Sequence, residues 1–285
     1  MDMEWKTQTP SPPARETDSD ARFLIGLISV FAFLWLVMPL IYPPSSRWIY
    51  IAMLPISQLG TFVHEMGHGL GAIFTGGHFH WLQIEMMRGG AAITSGGWPL
   101  FVLLGGLLGP AMAGALLMYL STRVKRSRPV LAVLCFLQVA GMFFMIKPMF
   151  IAILQPSAPL IDQWRFSYLS SLIIPTIGLL LTVKICFLSE RIQRRYLQFL
   201  GVIMCLAGFS SNSYIFTYRV LSNGGYSDAR MVAGMLWSGP ETVPFAIFVV
   251  VATVISILNI ALMLTGAYVS IRSKRPKAKR DVAIE

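Results

Sequence analysis

The sequence predicts an all-α polytopic membrane protein of about seven transmembrane helices, with a short β-hairpin-like segment after the second. Three observations predict this class. Of 285 residues, 55% are hydrophobic and only 13% charged, and the mean hydropathy is +0.65, a balance unlike that of a soluble globule. Apolar runs of about 20 residues or more recur, roughly the length that crosses ~30 Å of hydrocarbon. The basic residues gather in short segments beside those runs.

The runs fall at about 22–42, 49–74, 98–120, 130–154, 167–188, 196–219 and 243–270. Lys147-Pro148 interrupts the fourth, and Pro175 and Gly208 are candidate breaks later on. Residues 1–21 are polar, Pro-containing and nearly charge-balanced, which suits a disordered tail. Their acidic start ahead of a full-length span does not suit a cleaved signal peptide. Residues 22–270 read as one membrane-embedded bundle, without a polar stretch long enough for a soluble module, and 271–285 as a basic tail.

A net charge of +10 could indicate nucleic acid, but its placement fits membrane topology better. Arg123, Lys125, Arg126 and Arg128 follow the third span, Arg191, Arg194 and Arg195 the fifth, and six basic residues between Arg272 and Arg280 the seventh. By the positive-inside rule these clusters and the carboxyl terminus are cytoplasmic. The expected surroundings are a lipid bilayer, with no nucleic-acid partner. Cys135, Cys186 and Cys205 all lie in apolar runs without CxxC spacing, as buried free thiols do.

Between Thr75 and Gly97 the pattern changes. Glycines punctuate it, and Leu82, Ile84 and Met86 alternate with Gln83 and Glu85, which predicts a hairpin turning near Gly89-Gly90. In the third span Gly105, Gly109 and Ala113 recur every four residues, followed by Gly114. That smooth stripe permits close helix packing and at most forms the wall of a site.

The chemistry concentrates in His64-Glu65-Met66-Gly67-His68. Two histidines four residues apart project from one helix face and can offer two imidazole nitrogens to one metal ion. Glu65, beside the first, can reach a water on the metal without ligating it, as in the HExxH arrangement of hydrolytic zinc sites. Zinc lowers the pKa of such a water from ~15.7 to near 7, and the carboxylate takes its proton as the water attacks a carbonyl. HExxH arises by chance on water-exposed helices. Within a bilayer each ionisable group costs at least ~2.5–3.5 kcal/mol on insertion scales unless compensated, and three within five positions call for a ligand. Gly67, Gly69 and Gly71 thin the same helix and allow close packing beside the site.

A catalytic zinc needs a third protein ligand. Outside the tails the candidates are Glu85, Asp162, Glu190, Asp228, Glu241, His78 and His80. Glu190 reads as a salt-bridging charge in a basic loop and Asp162 as a solvated residue in a Pro-containing connection. Glu85, His78 and His80 could approach the metal or face water. Asp228 sits in a glycine-bearing break between the sixth and seventh spans, where irregular backbone can line a cavity. It could equally cap a helix over Ala229–Trp237.

These features resemble the site-2 protease class of intramembrane metalloproteases, and more closely the compact M50B-like peptidase group. The resemblance rests on HEMGH in a membrane helix, the following TGG and glycine-rich stretch, Gly109-Pro110, and Gly-Gly-Tyr-Ser-Asp-Ala at 224–229, and it covers about 50–240. It implies that His64 and His68 are zinc ligands, Glu65 the general base, and Asp228 the third ligand. It also implies that the substrate is a membrane protein whose transmembrane helix is locally unwound and held by strand addition along 79–97. The Asp-Gly motif of larger members is absent, since Ala229 follows Asp228, and there is no PDZ-like or nucleotide-sensing domain.

With seven spans and cytoplasmic basic clusters, the amino terminus falls outside and the HEMGH helix runs outward from the cytoplasm. His64 then lies just beyond mid-membrane toward the outer face, whereas family members keep their zinc nearer the cytoplasm. The leading expectation is an intramembrane zinc metalloendopeptidase, in a bacterial cytoplasmic membrane by the compactness of the bundle. The alternatives are an ion or proton transporter using the same ionisable residues, and a protease-like scaffold that binds without cutting.

Overall fold

A computed structural model describes residues 16–34, 38–41, 45–85, 89–154, 161–210, 215–219, 225–239 and 242–272. The chain is mostly helical. Its elements are α1 (Glu16–Ala32), α2 (Met38–Ile41), α3 (Ser45–Phe74), β1 (His78–Glu85), β2 (Gly89–Ser95), α4 (Pro99–Arg123), α5 (Arg128–Leu154), α6 (Ile161–Cys186), α7 (Glu190–Ser210), α8 (Asp228–Leu236) and α9 (Phe245–Arg272). Helix α1 begins at Glu16, so the end of the polar tail is helical.

Among the described residues, three helices are long and apolar enough to cross a bilayer: α4, α5 over Arg128–Lys147, and α9. Shorter apolar stretches lie at Arg22–Phe31 in α1 and Leu172–Cys186 in α6. The sequence expectation was seven spans. Helices α3 and α7 have the length but carry polar side chains that lower their hydropathy, His64, Glu65 and His68 in one and Arg191, Gln193, Arg194, Arg195 and Gln198 in the other.

Helix α3 ends where Gly76 adopts φ +83°. The Gly77 and Gly76 amides donate to the carbonyls of Ala72 and Ile73 at 2.8 and 3.2 Å, a Schellman closure that satisfies the end of the helix. The chain enters the hairpin directly. Strands β1 and β2 pair antiparallel from His78 opposite Ser95 to Glu85 opposite Gly89, with a bulge between Phe79 and Trp81. The pairing runs to Glu85 opposite Gly89, and residues 86–88 lie outside the described residues. Phe79, Leu82 and Ile84 are buried against Phe62, Met66 and Met145, and Phe79 stacks on Phe144 at 4.2 Å. Hydrophobic alternation in β1 thus fixes the hairpin to α3 and α5.

The small-residue stripe of α4 packs as its spacing suggests. A Cβ at Gly67 would lie 2.1 Å from the Gly105 carbonyl oxygen, and one at Gly105 2.3 Å from that of Gly67, so the two backbones touch. Gly71 meets Phe101 and Val102 in the same way, which makes α3 and α4 antiparallel. Helix α7 is antiparallel to α4 as well, with Gly201 against Gly114 and Met118. Helix α9 runs parallel to α4, Phe248 and Ile255 clustering with Leu103 and Leu107 and Gly266 lying on Ala115 and Met118.

These directions gather the described residues of the basic clusters at one end. The Arg194 guanidinium donates to the carbonyls of Ser121, Val124 and Lys125 at 2.9–3.1 Å. It also pairs with Glu190 at 3.0 Å. Glu190 in turn accepts from the Ser127 amide and hydroxyl. The α4–α5 and α6–α7 turns therefore lie side by side, and Arg272 closes α9 at the same end. Arg195 lies over the ring of Phe23, in the first half of α1, at 5.4 Å.

Candidate metal centre

On α3, the rings of His64 and His68 lie edge to face with centroids 4.6 Å apart. Asp228 reaches them from a distant part of the chain as the first residue of α8. The cap of α8 is Ser227, whose hydroxyl accepts from the Arg230 amide at 3.4 Å and donates to the Thr217 carbonyl at 2.9 Å. With capping assigned to Ser227, the Asp228 carboxylate is turned to the histidines. Its Oδ2 lies 3.0 Å from His64 Nε2 and 3.2 Å from His68 Nε2, and the two nitrogens are 3.1 Å apart. Asp228 and His68 are buried, at 5% and 7% exposure.

The tautomer of His68 is fixed by its other nitrogen. Nδ1 lies 2.8 Å from the Val102 carbonyl oxygen, which can only accept, so Nδ1 carries the proton and Nε2 presents a lone pair. The ring rests against Gly106 of α4. A Cβ there would lie 2.2 Å from His68 Nε2, so only glycine leaves the ring its place.

Glu65 is 5% exposed on the neighbouring face of α3. A Cβ at Gly90 would lie 2.7 Å from its Oε1, and its carboxylate accepts a backbone hydrogen bond from Ala92. Strand β2 therefore lies directly against this side chain.

The donor set suits a divalent cation. Zinc bonds of about 2.0–2.2 Å at tetrahedral angles hold nitrogen and oxygen donors roughly 3.3–3.5 Å apart, slightly wider than the triangle found. One proton on His64 could satisfy one of these contacts, but His68 Nε2 and the carboxylate still face each other as acceptors. A cation satisfies all three at once. Among the described residues, His64, His68 and Asp228 form the group able to hold a metal ion.

Residues 24–161 match the model of the Peptidase M50B-like family. No curated protein and no solved structure matches the chain. The M50B-like match bears out the resemblance drawn from the motifs, is consistent with the site-2 protease class, and supports a membrane protein with protease, hence hydrolase, character. The matched segment holds HEMGH, the hairpin and Gly109-Pro110. Asp228 lies beyond it, so its place in an M50B-like site rests on the geometry above.

Of the other candidate ligands, His80 bonds to Ser95 at 2.7 Å on the hairpin, with the His78 ring centroid 6.4 Å away. Both stand outside the triangle. Glu85 ends β1, Asp162 lies in the first turn of α6 rather than in a connection, Glu190 pairs with Arg194, and Glu241 lies outside the described residues. The three cysteines are free thiols. Sequence reading missed Val102, which acts through its backbone, and the local roles of Gly106 and Gly90. Gly105 was visible as part of a packing stripe, but its neighbour Gly106, which meets the imidazole, lay outside that stripe, and which of them faced the ring depended on helix rotation.

Proposed function

We propose that the protein is an intramembrane zinc endopeptidase that hydrolyses peptide bonds in membrane-anchored proteins bearing a transmembrane helix. The observation that carries this reading is the triangle of His64 Nε2, His68 Nε2 and Asp228 Oδ2, with the His68 proton committed to Val102. Zinc bound there would supply Lewis acidity, lowering the pKa of water to near 7 and polarising a peptide carbonyl.

The protein's own residues do the rest. His64, His68 and Asp228 would hold the metal with three protein donors, the number that catalytic sites use where closed structural sites use four. Glu65 stands beside the triangle without joining it, where it takes the proton of the attacking water and returns it to the leaving amide nitrogen. Burial of Glu65 and Asp228 keeps bulk water from competing with the substrate.

Strand β2 is an edge strand of the two-stranded sheet, with Gly90 against Glu65. A substrate helix must unwind before its peptide bonds are accessible. An extended segment aligned along β2 would have its backbone satisfied by strand addition, which matters most where no water is available to do it. The basic clusters support a cytoplasmic carboxyl terminus by the positive-inside rule, and the compactness of the bundle supports a bacterial cytoplasmic membrane. Comparative proteomics of membranes from wild-type and Glu65→Gln cells tests this function. Single-span proteins should accumulate uncut in the variant; identical profiles would contradict it.

A further inference from the structure

We propose that Thr75, which opens the Thr-Gly-Gly stretch after α3, is a positioning residue for the metal centre, its hydroxyl clamping the start of α4 so that the Val102 carbonyl stays on His68. The clamp rests on the zinc site of the proposed function for its purpose, and on a closed circuit of hydrogen bonds for its geometry.

The circuit runs through two helices. The His68 Nδ1 proton goes to the Val102 carbonyl at 2.8 Å, the Val102 amide donates to the Trp98 carbonyl at 3.0 Å, and the Trp98 amide donates to Thr75 Oγ1 at 2.9 Å. The Thr75 hydroxyl donates in turn to the Gly71 carbonyl at 2.7 Å, back on α3. The first turn of α4 is therefore held to α3 at both of its ends.

Each bond answers a need of the helix ends. Trp98 is the N-cap of α4, its own side chain makes no capping bond, and Pro99 follows it. Its amide, one of the four that a helix leaves without an internal partner at its start, is taken by Thr75. Gly71 lies in the last turn of α3, whose carbonyls are likewise without internal partners. A hydroxyl serves both, because it donates one proton and accepts on a lone pair. Gly97, at φ +76°, leaves it room, since a Cβ there would lie 2.7 Å from Thr75 Oγ1.

The clamp matters because the α3–α4 contact is smooth. Gly67 and Gly105 bring the backbones together without side chains that interlock along the axis. Packing then sets the separation of the helices, and the bonds at their ends set the register. Val102 is about one helical turn from Trp98, and a functional site needs its groups held to about 0.5 Å. Because Thr75 and Trp98 flank the hairpin, the same bond also closes the hairpin's base.

Two measurements on the purified full-length protein test the clamp. Thr75→Val keeps the branched shape and removes both bonds, whereas Thr75→Ser keeps the hydroxyl. In chelator competition, Thr75→Val should bind zinc about ten-fold more weakly than wild type, and Thr75→Ser should recover most of that loss. Hydrogen exchange without added metal should be about ten-fold faster over residues 98–102 in Thr75→Val, and near wild type in Thr75→Ser. Thr122→Val removes a hydroxyl bond to the Tyr119 carbonyl at the far end of α4 and should leave zinc affinity unchanged. If exchange throughout α3 and α4 shows that Thr75→Val has not folded, Thr75→Ala takes its place. Wild-type zinc affinity in the variant lacking the hydroxyl, an equal loss in Thr75→Ser, or the same loss in Thr122→Val would overturn the proposal. Unaltered zinc affinity in Thr75→Val beside Glu65-dependent cleavage by the wild type overturns the clamp alone. The expected pattern in a protein that cleaves nothing supports the clamp and overturns the peptidase reading.

Discussion

His68 donates its Nδ1 proton to the Val102 carbonyl at 2.8 Å, which leaves its Nε2 lone pair facing His64 and Asp228. This backbone contact joins the α3–α4 interface to the metal centre. The glycine contacts that let the two helices touch also bring Val102 within reach of the imidazole. Packing and ligand orientation are therefore the same feature.

Substitutions along α4 should separate these roles. A Cβ at Gly106 would enter the His68 ring, whereas one at Gly109 meets nothing closer than 3.6 Å. Gly106→Ala should weaken zinc affinity by about 10–100-fold, the usual range when an orienting contact is lost. Gly109→Ala should leave affinity unchanged and gain up to ~1 kcal/mol of helix propensity. Chelator competition on the purified proteins measures the first effect and thermal unfolding in detergent the second.

Glu65 is placed as a base and not as a ligand. Glu65→Gln should retain wild-type zinc content and lose about 10²–10⁴-fold in cleavage rate. Gly90→Ala should behave similarly in kind, because its methyl group would crowd the Glu65 carboxylate while leaving the three donors alone. Metal analysis beside a cleavage assay separates both variants from ligand substitutions, which should lose zinc and activity together.

The start of α8 should govern how firmly Asp228 is presented. Arg230 lies 4.4 Å from the Tyr218 ring centroid and 3.8 Å from that of Tyr226, and donates to the Tyr218 carbonyl. Tyr218 is in turn seated against Phe245 and Phe248 of α9. Arg230→Met should reduce zinc affinity by about ten-fold or more, and Arg230→Lys should restore part of it by keeping a cation between the rings. Ser227→Ala should cost about 1 kcal/mol of stability through the lost cap. Unchanged affinity in Arg230→Met would mean that the apolar packing of Ala229 and Val232 positions Asp228 unaided.

Much of the site was legible because its chemistry is local. His64, Glu65 and His68 lie within five residues, and helical periodicity alone places the histidines together. The hairpin was legible for a similar reason, since period-two alternation at Leu82 and Ile84 marks the buried face. The strands close at Glu85 opposite Gly89, beside the predicted turning point, and Gly89, at φ +101°, opens β2. Asp228 was harder to place, because its 160-residue separation from His68 leaves no local pattern. Whether it or its neighbour caps α8 depends on a one-residue shift that composition does not encode. Val102 left no signal, as any residue offers a carbonyl. The contact of α1 with Arg195 was equally hidden, since hydropathy marks an apolar segment without showing what Phe23 packs against.

The central claim is that one zinc is held by His64, His68 and Asp228. X-ray absorption at the zinc edge, with metal quantification on the purified full-length protein, tests it most directly. The expected result is about one zinc per chain with nitrogen and oxygen ligands at about 2.0–2.2 Å, and loss of that metal in Asp228→Ala as in His64→Ala. A wild-type protein without zinc, or an Asp228→Ala variant with unchanged zinc content and absorption spectrum, would contradict it.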